Sequence, residues 1–354
     1  MTIPTEPIGS IPRPQALIDA RHKWEQGQLS RADLEEVSAR ALSDTIRRLE
    51  ATGSPVISDG EQTKPSFATY PIDGAANIAP GGVTIPFADG HTRQLPRLTE
   101  GPFRYSTYAV SYLNAPRKLT ALPVKQAVIS ASALSLLYPA EGIPNYSREQ
   151  FLADLVNEAE KDVRACLDAG AEKVQIDFTE GRLALKLDPS GALLAQFVAL
   201  NNRVLERFSA EERLRLGVHS CPGGDRDATH SADVDYAGLL PVLFRLNVTN
   251  FYLQLASEPD RERVLNLIAR TMQPHHRIFV GVIDPISPSL ETPDEVCARV
   301  LQAAQHIPPS QLGTTDDCGF APFLDDTSTA RELAFSKIAA RVKGTALAAA
   351  RLSH

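Results

Sequence analysis

The sequence predicts a (β/α)8 barrel, a ring of eight parallel strands with helices packed around it. Short apolar runs alternate with helical patterns along the whole chain. Several runs are continuously apolar, as strands covered on both faces are. The length of 354 residues suits one such barrel, although it would also suit two smaller domains. We therefore expect a single barrel domain over residues 1–354.

Eight runs have the length and apolar character of buried strands. They lie near residues 6–10, 55–60, 126–132, 173–178, 215–220, 250–256, 277–283 and 311–316. Strands that alternate with helices favour a right-handed parallel arrangement. A doubly wound open sheet shows the same alternation and is the competing architecture.

Two helices carry clear start signals. Ser147 is a candidate N-cap with Gln150 three residues later, and Gly170 follows the last apolar position of that helix. Thr292 is a candidate N-cap followed by Pro293 at the first helical position. These signals predict long helices that begin near residues 148 and 293.

Residues 61–125 interrupt the alternation, because they are rich in proline, glycine and aromatic residues and contain no long helical pattern. The part around Asp89 and Gly90 predicts a β-hairpin. We interpret the segment as an insertion after the second strand that folds over the barrel mouth. An elaborate loop without a role in binding is the alternative.

Composition excludes several classes of protein. The chain has 36 basic and 43 acidic residues, a net charge of −7, so nucleic-acid binding is not expected. No run approaches the apolar length of a membrane span, and the N-terminus has no signal-peptide pattern. Four cysteines are too few for a disulfide scaffold. We expect a cytoplasmic enzyme without a membrane partner.

One histidine and two cysteines lie where strands should end. His219 and Cys221 are two residues apart at the end of a predicted strand, so their side chains point to the same side. Cys318 follows the last predicted strand, and all strand C-termini of a barrel meet at one face. Two thiolates and one imidazole suit Zn²⁺ and leave a position open for chemistry. Cysteine is also a common core residue, and that interpretation applies to Cys166 and Cys297 on helices.

The chain resembles the cobalamin-independent methionine synthase family in a short, single-barrel form. The matching motifs, in the family's order, are IGS at 8–10, DGE at 59–61, QID at 175–177, VHSC at 218–221, a D-x-x-S-P run at 284–288 and DDCG at 316–319. The resemblance implies a catalytic zinc and an incoming thiol, homocysteine in the named enzymes, that attacks a methyl donor as thiolate.

The resemblance also implies roles for individual residues. His219, Cys221 and Cys318 would hold the zinc and activate the thiol. Ile8 and Ser10 would contact the amino-acid part of the substrate, and Glu61 and Asp177 would receive its ammonium group. Capping or an internal ion pair is the ordinary alternative for both carboxylates. Separately, Arg13 is a candidate for bidentate binding of a substrate carboxylate or sulfonate, or an ordinary rim charge.

The sequence departs from the family at three positions. Gln254 stands where the family has a glutamate ligand, so we take it as a candidate fourth ligand, with water or Glu258 as alternatives. Ile286 replaces the histidine that would protonate a pterin leaving group, and the single tryptophan, Trp24, is not near the third strand. We therefore expect a donor other than polyglutamylated methyltetrahydrofolate, either a methylated corrinoid protein or a small methylated metabolite.

Two alternative functions remain open at this stage. Related single-barrel enzymes open epoxides with the sulfonated thiol coenzyme M, and then a cation such as Arg13 would bind the sulfonate. The second alternative is a non-catalytic zinc- or thiol-binding protein on the same scaffold, which the substitution at Gln254 suggests.

Overall fold

The computed structural model describes residues 2–353 and is built around a six-stranded parallel sheet. In spatial order its strands are Leu312–Asp316, Arg277–Ile283, Asn250–Leu253, Leu216–Ser220, Val174–Asp177 and Gln126–Ile129. The strands of the described chain are β1 (Ile78–Ala79), β2 (Thr84–Pro86), β3 (Thr92–Gln94), β4 (Arg97–Leu98), β5 (Gln126–Ile129), β6 (Val174–Asp177), β7 (Leu216–Ser220), β8 (Gly224–Asp225), β9 (Ala228–Thr229), β10 (Asn250–Leu253), β11 (Arg277–Ile283) and β12 (Leu312–Asp316).

Helices separate the strands of the sheet, as the alternating pattern predicts. They are α1 (Gln15–Glu25), α2 (Arg31–Ala51), α3 (Val110–Asn114), α4 (Ala131–Ser135), α5 (Arg148–Asp168), α6 (Glu180–Leu187), α7 (Ala192–Leu205), α8 (Ala210–Arg213), α9 (Tyr236–Leu243), α10 (Arg261–Thr271), α11 (Pro293–Ala303) and α12 (Arg331–Leu352), with two 3-10 turns at Tyr70–Ile72 and Pro116–Lys118. Among residues 2–353, none of these helices combines the length and the apolar character that crossing a bilayer requires.

Both predicted helix starts are confirmed. Ser147 caps α5 and forms a reciprocal capping box with Gln150. Thr292 caps α11 in the same way, with Pro293 as its first helical residue. The helices bury their apolar faces against the sheet, and the thiols of Cys166 and Cys297 lie in that core as expected.

The last six predicted strands are confirmed as the six strands of the sheet. The first two were wrong as full strands. The first segment forms a single parallel bridge just before residues 6–10, between Thr5 and Thr314, and the second forms one between Ile57 and Val124. Proline explains the interruption: Pro7 and Pro55 lack the N–H that a strand must donate. The two segments nevertheless lie beside the outer strands of the sheet and contact each other, since the Ser58 hydroxyl donates to the Gly9 carbonyl at 2.8 Å.

Residues 61–125 contain short elements. Strands β2 and β3 pair antiparallel, with Asp89 and Gly90 in the connecting turn. The hairpin reaches the loop after β7, because the Ala88 amide donates to the Thr229 carbonyl at 2.9 Å. Its Arg93 guanidinium pairs with the carboxylates of Asp225 and Asp325.

A buried ion pair fixes the N-terminal segment against the last strand. The fully buried Arg341 of α12 donates to Asp316 Oδ1 at 2.8 Å and to the Glu6 carbonyl at 2.6 Å. The other oxygen of Asp316 accepts from the Ile8 amide at 3.1 Å. One side chain of α12 thereby holds the segment that carries Ile8 and Ser10.

The Arg341→Leu variant should lower the free energy of unfolding by about 3–5 kcal/mol, because it leaves the buried Asp316 carboxylate without its cation. Urea denaturation measures the loss. Arg351→Leu on the same helix is the matched control: its contact with Asp294 is exposed and 3.9 Å long, so the change should stay below about 1 kcal/mol. Equal effects of the two variants would contradict this assignment.

Candidate metal and thiol site

The register of the sheet places the first site residues side by side. Asp177 ends β6 and is the direct neighbour of His219 on β7. Cys221 follows the end of β7, and Cys318 lies two residues after β12. The Sγ atoms of the two cysteines are 2.9 Å apart, and the ligand atoms of His219, Cys221 and Cys318 all lie within 4.8 Å of one another. Residues 97 positions apart in the chain thus share one centre.

The imidazole of His219 presents a free nitrogen to this centre. Its Nδ1 lies 3.1 Å from Asp177 Oδ1, so the ring donates there, and Nε2 is the nitrogen that a metal could take. Nε2 is buried and has no hydrogen-bond partner among the described residues. Burial lowers the pKa of His219, but the hydrogen bond to the Asp177 carboxylate and the nearby Cys318 sulfur outweigh it and raise the pKa to about 9.

The two thiols differ in acidity. Burial raises the pKa of Cys221, while the hydrogen bond from Cys221 holds the pKa of Cys318 well below its usual range. The pair therefore favours a thiolate at Cys318 next to a thiol at Cys221. An unpartnered imidazole nitrogen beside two sulfurs is a donor set that fits Zn²⁺ with a position left for a further ligand.

A small inner cavity adjoins this cluster. Ile8, Ser10, Glu61 and Asp177 line it together with His219 and Cys318. The Ile8 carbonyl accepts from Gln175 Nε2 at 3.0 Å, and the Ser10 hydroxyl accepts from the Ala321 amide at 3.2 Å. The structure therefore places these four candidate substrate contacts around one cavity next to the cluster.

Two carboxylates give the inner cavity a negative border. Glu61 is buried in a left-handed backbone conformation, φ 54°, and pairs with Lys64 at 3.1 Å. Burial raises the pKa of Glu61 and Lys64 lowers it, while the charges of Asp59 and Asp177 add to the rise. Asp177 Oδ1 accepts from His219 and from Gln175, whereas Oδ2 accepts from none of the described residues. An ammonium group bound here would relieve the repulsion between like charges.

Arg13 lies behind the cavity rather than on its surface. Its guanidinium is buried and donates to four backbone carbonyls, those of Glu61, Lys64, Ala321 and Phe323. These contacts tie the loop that carries Glu61 to the loop after Cys318. The side chain acts on the site by positioning these loops, which differs from the direct substrate contact expected from the sequence.

The carboxamide of Gln254 is held by other groups. Its Oε1 accepts from Arg182 at 2.9 Å and from the Tyr236 hydroxyl at 3.1 Å, and its Nε2 donates to Ser257 at 2.7 Å. Glu258 lies 4.0 Å from Arg182 and is not part of the metal-ligand cluster. Arg182 was not predicted from the sequence as part of this region. Its side chain is fully buried, and its position five residues after Asp177 is the only sequence feature that places it near the end of β6.

A larger outer cavity of about 400 Å³ opens beside the inner one. The two cavities share Phe67, Thr179, Gly223 and Gly224 in their walls. The β2–β3 hairpin contributes to the outer wall through Ile85, Phe87, Arg93, Gln94 and Leu95. A Cβ on Gly224 would lie 3.8 Å from Ile286 Cδ1, so Ile286 is close to the boundary between the cavities.

His230 also lines the outer cavity. Its side chain is buried against Phe87, and Gly223 leaves it space. Burial and the charges of Arg182 and Lys186 lower the pKa of His230 to about 4, so the ring is neutral at pH 7.

Most of the chain matches one protein family. The family sequence model described as "Cobalamin-independent synthase, Catalytic domain" covers residues 3–341. A "Methionine synthase" from Thermococcus kodakarensis is 22% identical over 346 residues, which are 97% of this chain and 92% of that protein. A "5-methyltetrahydropteroyltriglutamate--homocysteine methyltransferase" from Shewanella oneidensis is 24% identical over 324 residues, 90% of this chain but only 40% of that longer protein.

Solved structures share the fold. A vitamin-B12-independent methionine synthase from a Shewanella species, in complex with selenomethionine, superposes with a TM-score of 0.78 at 19% identity, covering 100% of this chain and 99% of that one. A protein from Listeria monocytogenes described as a putative methionine synthase of the same type gives 0.73 at 21% identity, with 98% of both chains covered. The chain is therefore a member of the cobalamin-independent synthase family and corresponds to its catalytic domain.

Proposed function

We propose that this protein is a zinc-dependent methyltransferase that transfers a methyl group to the thiol of homocysteine. The observation that carries the proposal is the meeting of His219, Cys221 and Cys318 next to the inner cavity, with His219 Nε2 buried and unpartnered. The family match supports the same reaction class. Cytoplasmic location stays a prediction.

The residues have separate tasks in this proposal. A zinc ion held by His219, Cys221 and Cys318 would deprotonate a coordinated thiol, which is otherwise mostly protonated at pH 7. Asp177 fixes the orientation and tautomer of the His219 ring through Nδ1. Glu61 and Asp177 receive the substrate ammonium, while Ile8 and Ser10 border its amino-acid part. Gln254 supports Arg182 rather than the metal.

The architecture gives the two substrates different places. We propose that the bridged segments 3–10 and 55–60 complete an eight-membered barrel, with residues 61–125 as an insertion over its mouth. The thiol then enters the inner cavity, and the methyl donor occupies the outer cavity under the β2–β3 hairpin. At Gly223 and Gly224 the shared wall carries no side chain, and we propose that the two reactants meet there.

The donor is proposed to differ from polyglutamylated methyltetrahydrofolate. Ile286 offers no proton near the boundary of the cavities, and a tertiary-amine leaving group is poor without a proton donor. The single tryptophan, Trp24, lies on α1 with 38% of its surface exposed. The names of the relatives lend no support to a methylated corrinoid protein as donor.

Binding of coenzyme M is less compatible than binding of homocysteine with the negative charges that border the inner cavity. A sulfonate would meet the carboxylates of Glu61 and Asp177, while the Nη donors of Arg13 are engaged by carbonyls. A non-catalytic role would retain metal and thiol binding without turnover, so the product assay separates it from the proposed activity.

Purified protein should contain about one zinc per chain, and Cys221→Ala and Cys318→Ala should each lose most of it, because each removes one of three ligands. Metal analysis by mass spectrometry measures this. Cys297→Ala is the matched control, since that thiol is buried in the helix core and should leave the zinc content unchanged. Full zinc occupancy in both site variants would refute the assignment.

Glu61→Gln should weaken homocysteine binding by about 10–100-fold, the value of a lost charge-assisted contact. The same variant should leave the affinity for 4-mercaptobutyrate, which lacks the amine, within about threefold. Thiol titration of the cobalt-substituted protein, followed by absorbance, compares the two ligands. Lys64 keeps its contact with the Ala127 carbonyl at 2.8 Å, which supports folding of the variant. A parallel loss of both thiols would argue against ammonium recognition.

A further inference from the structure

Glu180 places an unsatisfied carboxyl oxygen at the outer cavity. The residue begins α6, directly after the site strand β6, and only 5% of its surface is exposed. Its Oε1 accepts hydrogen bonds from the hydroxyls of Ser130 and Ser132. Its Oε2 is buried and has no partner among residues 2–353. Glu180 is part of the lining of the outer cavity, and Oε2 is the carboxyl oxygen that its protein neighbours leave without a partner.

The surroundings of Glu180 make this oxygen unusual. Apolar side chains dominate the wall of the cavity, among them Phe67, Phe87, Leu136 and Leu183. Burial raises the pKa of Glu180 to about 7, against the lowering effect of the two serine hydroxyls. A buried carboxylate without a partner is costly, so an occupant that supplies positive charge would be stabilised.

The protein itself offers no free cation to this oxygen within the described lining. Arg93 is engaged by Asp225 and Asp325. The His230 ring is neutral at pH 7, and its charged form is disfavoured by burial. His22 and Glu25 line the wall from α1, and neither forms a hydrogen bond with Glu180 Oε2. An apolar chamber with one uncompensated acid is suited to a cation whose charge is covered by methyl groups.

We propose that the outer cavity binds a methyl donor with a positive charge on the methylated atom, a sulfonium or quaternary ammonium compound, and that Glu180 Oε2 recognises that charge. The inference rests on the proposed methyl transfer and names its donor class. The electron pair of the thiolate forms the new sulfur–carbon bond, and the bond from methyl to the onium atom breaks. That atom keeps the bonding pair and leaves as a neutral thioether or amine.

This reaction needs no proton at the leaving group. Ile286 near the cavity boundary is then compatible with turnover, because an uncharged thioether leaves without being protonated. The same site selects against neutral methyl compounds, since they leave the Glu180 carboxyl uncompensated.

The test compares S-methylmethionine with its neutral isostere, 2-amino-5-methylhexanoic acid, in which carbon replaces the charged sulfur. Calorimetry on the zinc-loaded protein should show at least about tenfold tighter binding of the sulfonium. Glu180→Gln keeps an acceptor for the two serines and should reduce that preference to about threefold or less. Glu206→Gln, on the exposed end of α7, is the matched control and should retain the preference.

The pH dependence gives a second measurement on the unaltered protein. The sulfonium affinity should rise from about pH 6 to about pH 8, because Glu180 becomes a carboxylate over that range, and the neutral isostere should not follow. The other ionisable groups that face the cavity or Glu180 are His22, Glu25, Arg93, Asp177, Asp325 and His230. The rise must disappear in Glu180→Gln to be assigned to Glu180. If that variant does not fold, the comparison of the two ligands across pH decides the question alone.

Methyl transfer completes the test. Homocysteine methylation from S-methylmethionine should show a KM raised at least about tenfold in Glu180→Gln. The inference is overturned if neither ligand binds below about 10 mM, if the isostere binds equally, or if the variant keeps the preference. It is also overturned if the protein uses only 5-methyltetrahydrofolate and Glu180→Gln slows that reaction, which would make Glu180 a proton donor. Zinc binding and homocysteine binding are measured separately. If both are retained while the donor test fails, only the inference about the donor is overturned and the proposed function stands.

Discussion

The pairing of Asp177 with His219 across β6 and β7 is the contact on which the site depends. The parallel register puts the carboxylate beside Nδ1, and this leaves Nε2 for the centre that His219 shares with the two sulfurs. A slip of one residue in either strand would turn one of these side chains to the other face of the sheet. The backbone hydrogen bonds of the sheet therefore determine which nitrogen the protein offers to a metal.

Buried charges organise the layer around this pair. Arg341 connects Asp316 to the N-terminal segment, Arg13 connects the two loops that border the inner cavity, and Arg182 holds Gln254. Each guanidinium is engaged by carbonyls, carboxylates or a carboxamide inside the protein. Such donors fix loops in place because leaving any partner unpaired in the interior is costly. The carboxylates of Glu61 and Glu180, by contrast, are only partly compensated, and both border cavities.

The division into two cavities suits a reaction between a thiol and a separate methyl donor. The inner cavity is bordered by acids, serine and the metal-ligand cluster, whereas the outer cavity is larger and mostly apolar. Glycines form the shared wall near Cys221, and any side chain at Gly223 would collide with His230. Glycine at position 223 therefore leaves room for the His230 ring in the outer cavity wall.

Sequence patterns alone determined the alternation of six buried strands with helices, the caps at Ser147 and Thr292, and the candidate group of His219, Cys221 and Cys318. These features are local, or follow from the rule that parallel strands end at one face. Only the tertiary structure showed that the segments around residues 6–10 and 55–60 form single bridges instead of full strands. It also showed that Arg13 donates to backbone carbonyls and that Gln254 accepts from Arg182. It also left Glu180 Oε2 without a partner among the residues that the structure describes. The physical reason is that the role of a buried polar group depends on the donors and acceptors that folding brings within about 3 Å of it. Spacing along the sequence does not contain that information.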